Sequence, residues 1–184
     1  MRALTAILAA ALVALVAAAC GPAGPTDAGG TDADPVALLG VLPSPEDLRG
    51  APAQAVDPAG LQVALTGAPD PVLVDRIRTR NPKAAAVREW TAPGGRRLVA
   101  VVSVWDSHLI AVGIGADAAD MLPDGRAWTP ADLPGSQGAR SADGRRLSFA
   151  VGPNSIYVRG EGSVSDDVVA TAAHRLALVL EGEQ

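Results

Sequence analysis

From Val36 onward the apolar residues come in short runs with two distinct periods. One period is strand-like. Leu98 to Trp105 is almost all Val and Ala with one Ser, which suits a strand buried on both faces. Leu147, Phe149 and Val151 alternate with Arg146, Ser148 and Ala150, the pattern of a half-buried strand. Gly152-Pro153-Asn154-Ser155 then predicts a turn, and 156–159 a returning strand. Alternation over 61–65 predicts a further strand, as does 85–90, which runs into the turn signal Pro93-Gly94-Gly95. The apolar run 108–114, entered through Asp106-Ser107, reads as another strand.

The second period is helical. Val169, Ala172, Ala173, Leu176 and Leu180 recur at helix spacing. Ser163 or Ser165 offers the cap, Asp166 and Asp167 suit the first turn, and Gly182 follows the end. Asp70-Pro71 opens another helix with Leu73, Val74 and Ile77 on one face, stopped by Asn81-Pro82. Ser44-Pro45-Glu46-Asp47 carries the same opening signal and predicts a short helix ending at Gly50.

Two stretches look alike. Pro93-Gly94-Gly95-Arg96-Arg97-Leu98 matches Asp143-Gly144-Arg145-Arg146-Leu147 with one gap. Each leads into apolar strands, then into small residues and Asp that open a helix, at 116–120 and at 163–167. The expected fold is therefore α+β: an antiparallel sheet with helices packed on one face. The likeness suggests two ββ(β)α repeats within it.

The N-terminus follows different rules. Arg2 is the one charge before a run over 3–19 in which Thr5 is the only polar side chain. This is the pattern of a secretory signal, slightly short for a membrane span. It ends Ala17-Ala18-Ala19-Cys20-Gly21, and Cys20 is the only Cys in 184 residues. These residues resemble the lipobox of bacterial lipoproteins, although that family prefers Leu where this chain has Ala17. The resemblance implies cleavage between Ala19 and Cys20 and lipid, including a palmitate-like acyl chain, on the Cys20 sulfur. An ordinary signal peptide and an uncleaved anchor are the alternatives. On this reading 1–19 is a signal peptide. Residues 20–37 are the lipidated Cys and a Gly/Pro/Asp linker, and 38–184 is a single α+β domain. The partner it implies is the membrane, reached through the lipid, with the domain on the outer face of the cell membrane.

Composition narrows the partners. Ala, Gly, Pro, Val and Arg dominate, which together with the lipobox is similar to small envelope lipoproteins of actinobacteria. The net charge is −5, and loss of Arg2 with the leader makes it more negative. Such a domain has no footprint for nucleic acid and no polybasic patch for anionic lipid. With one Cys there is no disulfide, so the core alone must hold the fold.

Catalytic signals are sparse. There is no Gly-x-Ser-x-Gly elbow and no Ser-x-x-Lys, and the one thiol is committed to lipid. The two His residues, His108 and His174, are far apart in sequence. Asp117, Asp120 and Asp124 lack the spacing of a calcium loop. Gly113-x-Gly115 lacks the third Gly of a dinucleotide fingerprint. No catalytic residue, metal or cofactor is expected. Trp90 and Trp128 sit at loop edges, where they pack or anchor a partner. Arg96 and Arg145 begin strands, as a solvated face or a site for an anion or acidic partner. The resulting expectation is a non-enzymatic binding module for an envelope protein or an apolar ligand. The alternative is a carboxylate-dependent cell-wall hydrolase or modifying enzyme.

Overall fold

The computed structural model describes residues 34–45, 47–120, 125–128 and 137–182. The expected signal peptide, Ala19, Cys20 and most of the expected linker lie outside them.

Strand β4 (Arg96–Val104) is buried at every residue from Leu98 to Val104, as its sequence predicts. It lies within an antiparallel eight-stranded sheet. The other strands are β1 (Arg49–Gly50), β2 (Gln54–Ala55), β3 (Ala84–Ala92), β5 (Arg126–Trp128), β6 (Gln137–Arg140), β7 (Arg146–Val151) and β8 (Asn154–Glu161). Their order is β1-β3-β4-β8-β7-β6-β5, with β2 also paired to β3.

A strand with apolar residues on both sides needs two covers. Leu98, Ala100 and Val102 face helices α1 (Pro35–Gly40) and α5 (Asp166–Glu181), together with Phe149 and Ile156. Val99 and Val101 face the opposite way, with Ala150 and Tyr157. They meet α2 (Pro58–Thr66), α3 (Pro71–Arg80) and α4 (His108–Asp120). The α+β class with an antiparallel sheet is as expected. The helices, however, cover both faces rather than one.

Several helices follow their caps. Asp70 accepts hydrogen bonds from the amides of Val72 and Leu73 to start α3, and Asn81 ends it in the left-handed region at φ 54°. Of the two candidate caps for α5, Ser165 is the one used: it accepts from the Val168 amide. Asp34 caps α1, so the fold begins inside the stretch assigned to the linker.

Five local readings are corrected. Residues 61–65 are helical: Asp57 caps α2, and Leu61 and Leu65, one turn apart, are buried while Val63 is exposed. Residues 108–114 also form helix, capped by the Ser107 hydroxyl accepting from the Ile110 amide. The small-residue and Asp segment 116–120 therefore continues α4 instead of opening a helix. Around Ser44-Pro45 no helix forms among the described residues, and Arg49–Gly50 pairs with β3. Strand β7 is buried on both faces, because Ser148 and Ala150 are small enough to lie beneath α4.

The two Gly-Arg-Arg stretches do not mark a repeat. One starts β4, the second strand of its hairpin; the other starts β7, the first strand of its own. The hairpin-helix units β3-β4-α4 and β7-β8-α5 are not equivalent either. Rotation about the sheet normal would keep both helices on one face, and α4 and α5 lie on opposite faces.

Both cores give a direct check. Phe149 is fully buried and meets Trp128 edge-on at 5.7 Å. Phe149→Ala should cost about 3–5 kcal/mol in urea unfolding; a cost below about 1 kcal/mol would contradict the packing described. Tyr157 is the only Tyr of the chain, which makes it a clean reporter. Burial raises its phenol above the ordinary value, against the opposing pull of Arg159 and Arg146. The stability it contributes is complete below the unfolded value of about 10 and is lost as pH rises through the higher folded value. Ultraviolet titration should show its ionisation later in the native than in the urea-unfolded protein; coincident curves would contradict the burial.

Candidate functional site

Alternation along β3 sends Ala86, Arg88 and Trp90 to the face covered by α1 and α5. Ala86 and Trp90 belong to that core, and Trp90 is 1% exposed. Its cross-strand neighbours are Leu98 on β4 and Gly50 on β1. A Cβ on Gly50 would lie 2.7 Å from two atoms of the indole, so only glycine lets β1 pass here. The indole Nε1 is buried and has no hydrogen-bond partner.

Arg88 locks this corner. Its guanidinium carbon sits 4.8 Å from the centroid of the Trp90 ring. Nη1 donates to the carbonyl oxygens of Leu39, Gly40 and Leu42 at 2.7, 3.0 and 2.8 Å, and Nε donates to that of Ala51 at 3.0 Å. A helix end leaves carbonyls without partners, and α1 has no basic residue in its last turn. The cation from β3 fills that role and ties Leu42 and Ala51 to β3.

The segment that begins at Leu42 forms one wall of a cleft of about 310 Å³. Leu42, Pro43 and Pro45 make this wall, and Trp90 and Leu98 the floor. The opposite wall is one face of α5: Val168, Thr171, Ala172 and Arg175, at helix spacing, with Asp167 beside them. The volume is at the small end of the roughly 300–1,000 Å³ usual for ligand pockets.

The other face of the sheet carries a charged brace. Arg97 on β4 donates to Glu89 on β3 and to Glu161 on β8, with Glu161 at 3.3 Å. The hydrogen bond to Glu89 is the main reason its pKa is raised. Glu161 also pairs with the buried Arg159 at 3.2 Å. Arg159 rests against Gly67, the cap of α2, where a Cβ would come within 2.9 Å of its Nη1. Carboxylate hydrolysis requires two acids facing a substrate between them. Glu89 and Glu161 instead share an arginine.

Of the residues singled out from sequence, Trp90 alone lines the cleft. Trp128 is partly buried against the same core, with Phe149, but on β5. Five strand steps separate β5 from β3, about 24 Å. Arg96 and Arg145 lie on β4 and just before β7, at one end of the sheet and on strands separated by β8. Arg145 donates to the Gly162 carbonyl at 2.8 Å. The neighbouring Asp143 accepts from the Ser141 hydroxyl and the Arg145 amide, and these bonds hold its carboxyl below the usual range. His108 meets the Gly152 carbonyl through Nδ1 at 2.8 Å, and His174 is half-buried on α5. Among the described residues no three metal-ligating side chains come together. Arg88, Pro43 and Arg175 went unread, and Pro45 was read only as the opening of a helix. The one available signal was the spacing of Arg88 and Trp90, two apart on a strand and hence on one face.

Arg88→Ala should lower stability by about 2 kcal/mol, since it strips a charged donor from several carbonyls at once. It should also open 40–50 to limited proteolysis. Arg88→Lys should recover only part, because a point donor cannot span those acceptors. An alanine variant as stable and as protease-resistant as the parent would contradict the clamp.

No protein-family model matches the chain, and no curated protein matches it in sequence. Among solved structures, the fold is similar to the extracellular domain of PknH from Mycobacterium tuberculosis. The TM-score is 0.50 over 80% of this chain and 89% of that one, at 14% identity.

Proposed function

We propose that this chain is an envelope lipoprotein: a non-enzymatic binding module held at the outer face of the cell membrane by lipid on Cys20. The observation that carries the binding reading is the cleft beneath α5. Its floor is apolar and lies on β3 and β4, and the wall that begins at Leu42 is tied to β3 by Arg88. A preformed concave site with an apolar floor and a few polar groups at its rim is what ligand binding requires.

The anchoring reading rests on the leader and on the single Cys at its end. Two further observations agree with it. No helix among the described residues is long and apolar enough to cross a membrane. The fold it shares with the extracellular domain of PknH suits a module displayed outside the cytoplasm.

Detergent phase partition and intact mass test the anchor. The native chain should enter the detergent phase and carry the added mass of a diacylglyceryl group. Cys20→Ala should lose that mass. Equal masses, apart from the substitution itself, with both proteins in the same phase would refute the lipoprotein assignment.

A further inference from the structure

The geometry points to a single-chain amphiphile with a carboxylate head as the ligand of the cleft: its tail lies between Pro43 and Pro45 on one wall and Val168 on the other, and its head meets Arg175. This rests on the binding reading above and specifies its ligand.

The tail follows from the lining. Leu42, Pro43 and Pro45 on one side and Trp90 and Leu98 below form an apolar slot. At about 310 Å³ it holds one short chain, and it is small for a lipid with two. Trp90 and Leu98 are almost completely buried, so the floor is closed and the apolar surface within reach is that of Pro43, Pro45 and Val168 on the walls. A thin flexible chain fits such a slot better than a flat polar ring.

The head follows from the charges. Two charged side chains line the cleft, Asp167 and Arg175. They are eight residues apart on α5, about 12 Å along its axis. Asp167 sits in the first turn of α5, where the helix dipole already favours a carboxylate. Arg175 lies more than two turns further on, is exposed, and has no ion-pair partner among the described residues. Asp167 likewise has no ion-pair partner among the described residues, but the helix dipole supports its charge, and Arg175 has no such support, in a chain whose net charge is −5. A guanidinium receives a carboxylate through two parallel hydrogen bonds. One arginine matches one negative charge, which favours a carboxylate over a doubly charged phosphate. The Thr171 hydroxyl, one helical turn before Arg175, and the Ser44 hydroxyl across the cleft are neutral donors within the same lining.

The test uses the full lipidated chain in phosphatidylcholine vesicles with photoreactive probes of equal tail length. One is a dodecanoate bearing a diazirine, the other the matching dodecyltrimethylammonium. Peptide mapping after irradiation reads the labelled segments. The carboxylate should label the cleft walls, around 42–45 and 168–175, and unlabelled dodecanoate should suppress that labelling. Arg175→Gln should reduce it at least fivefold, and Arg175→Lys less. Thr171→Trp, at an exposed position overhanging the slot, should block it. Equal labelling by the ammonium probe, or labelling unchanged in Arg175→Gln, would overturn the carboxylate assignment and leave the binding reading standing. Labelling of the walls that persists in Thr171→Trp would overturn it as surface adsorption. If neither probe labels the cleft, both readings fail.

Discussion

The structure depends on a strand that is apolar on both sides. From Leu98 to Val104 no residue of β4 reaches solvent, and β8 beside it is nearly as buried. Burial of each large side chain there contributes on the order of 1.5–3 kcal/mol, but only when both faces are covered. That requirement recruits α1 and α5 to one face and α2, α3 and α4 to the other. On the face of α2, α3 and α4, Glu89, Arg97, Glu161 and Arg159 tie β3, β4 and β8 together. The chain has one Cys, so no internal disulfide shares this work.

The cleft arises where one of those covers is incomplete. Helix α1 has only six residues and cannot span the face that α5 leaves open. Leu42, Pro43 and Pro45, outside any helix or strand, border the cleft beside Trp90. Such a segment has few backbone bonds of its own, and Arg88 supplies them from beneath. One guanidinium thus ends a helix, stacks on the indole and sets the width of the cleft. Gly50 completes the corner by leaving room for the ring. Fold and candidate site are in this sense one arrangement, with Arg88 belonging to both.

Much of this was legible in the sequence where a cap and a period agree. Asp70-Pro71 with Leu73 and Ile77 gave α3, and Ser165 with Val169, Ala173 and Leu176 gave α5. Where they compete, the period misled. Leu61, Val63 and Leu65 alternate like a strand, yet Leu61 and Leu65 are also one helical turn apart, and Asp57-Pro58 is the same cap signal as Asp70-Pro71. The run 108–114 is apolar enough for either element, and Ser107 decides it. Small residues hid the second buried face of β7: Ser148 and Ala150 read as polar or neutral but lie under a helix. The strand at 98–104 already required two covers, which a one-faced layout could not supply. Of the cleft, Trp90 was legible as a rare aromatic. Arg88 was not, because its partners lie 37 to 49 residues away, and Arg175 was not, because only the fold sets its face of α5 opposite Leu42 and Pro43.

Native-state hydrogen exchange tests the two-faced strand most directly. The account predicts that amides of 98–104 and 155–160 exchange slowest, and only through global unfolding. The clamped segment 42–50 should exchange much faster, through local opening. Amides of β4 exchanging as fast as those of the edge strand β5 would contradict the claim that the doubly covered strand holds the molecule together.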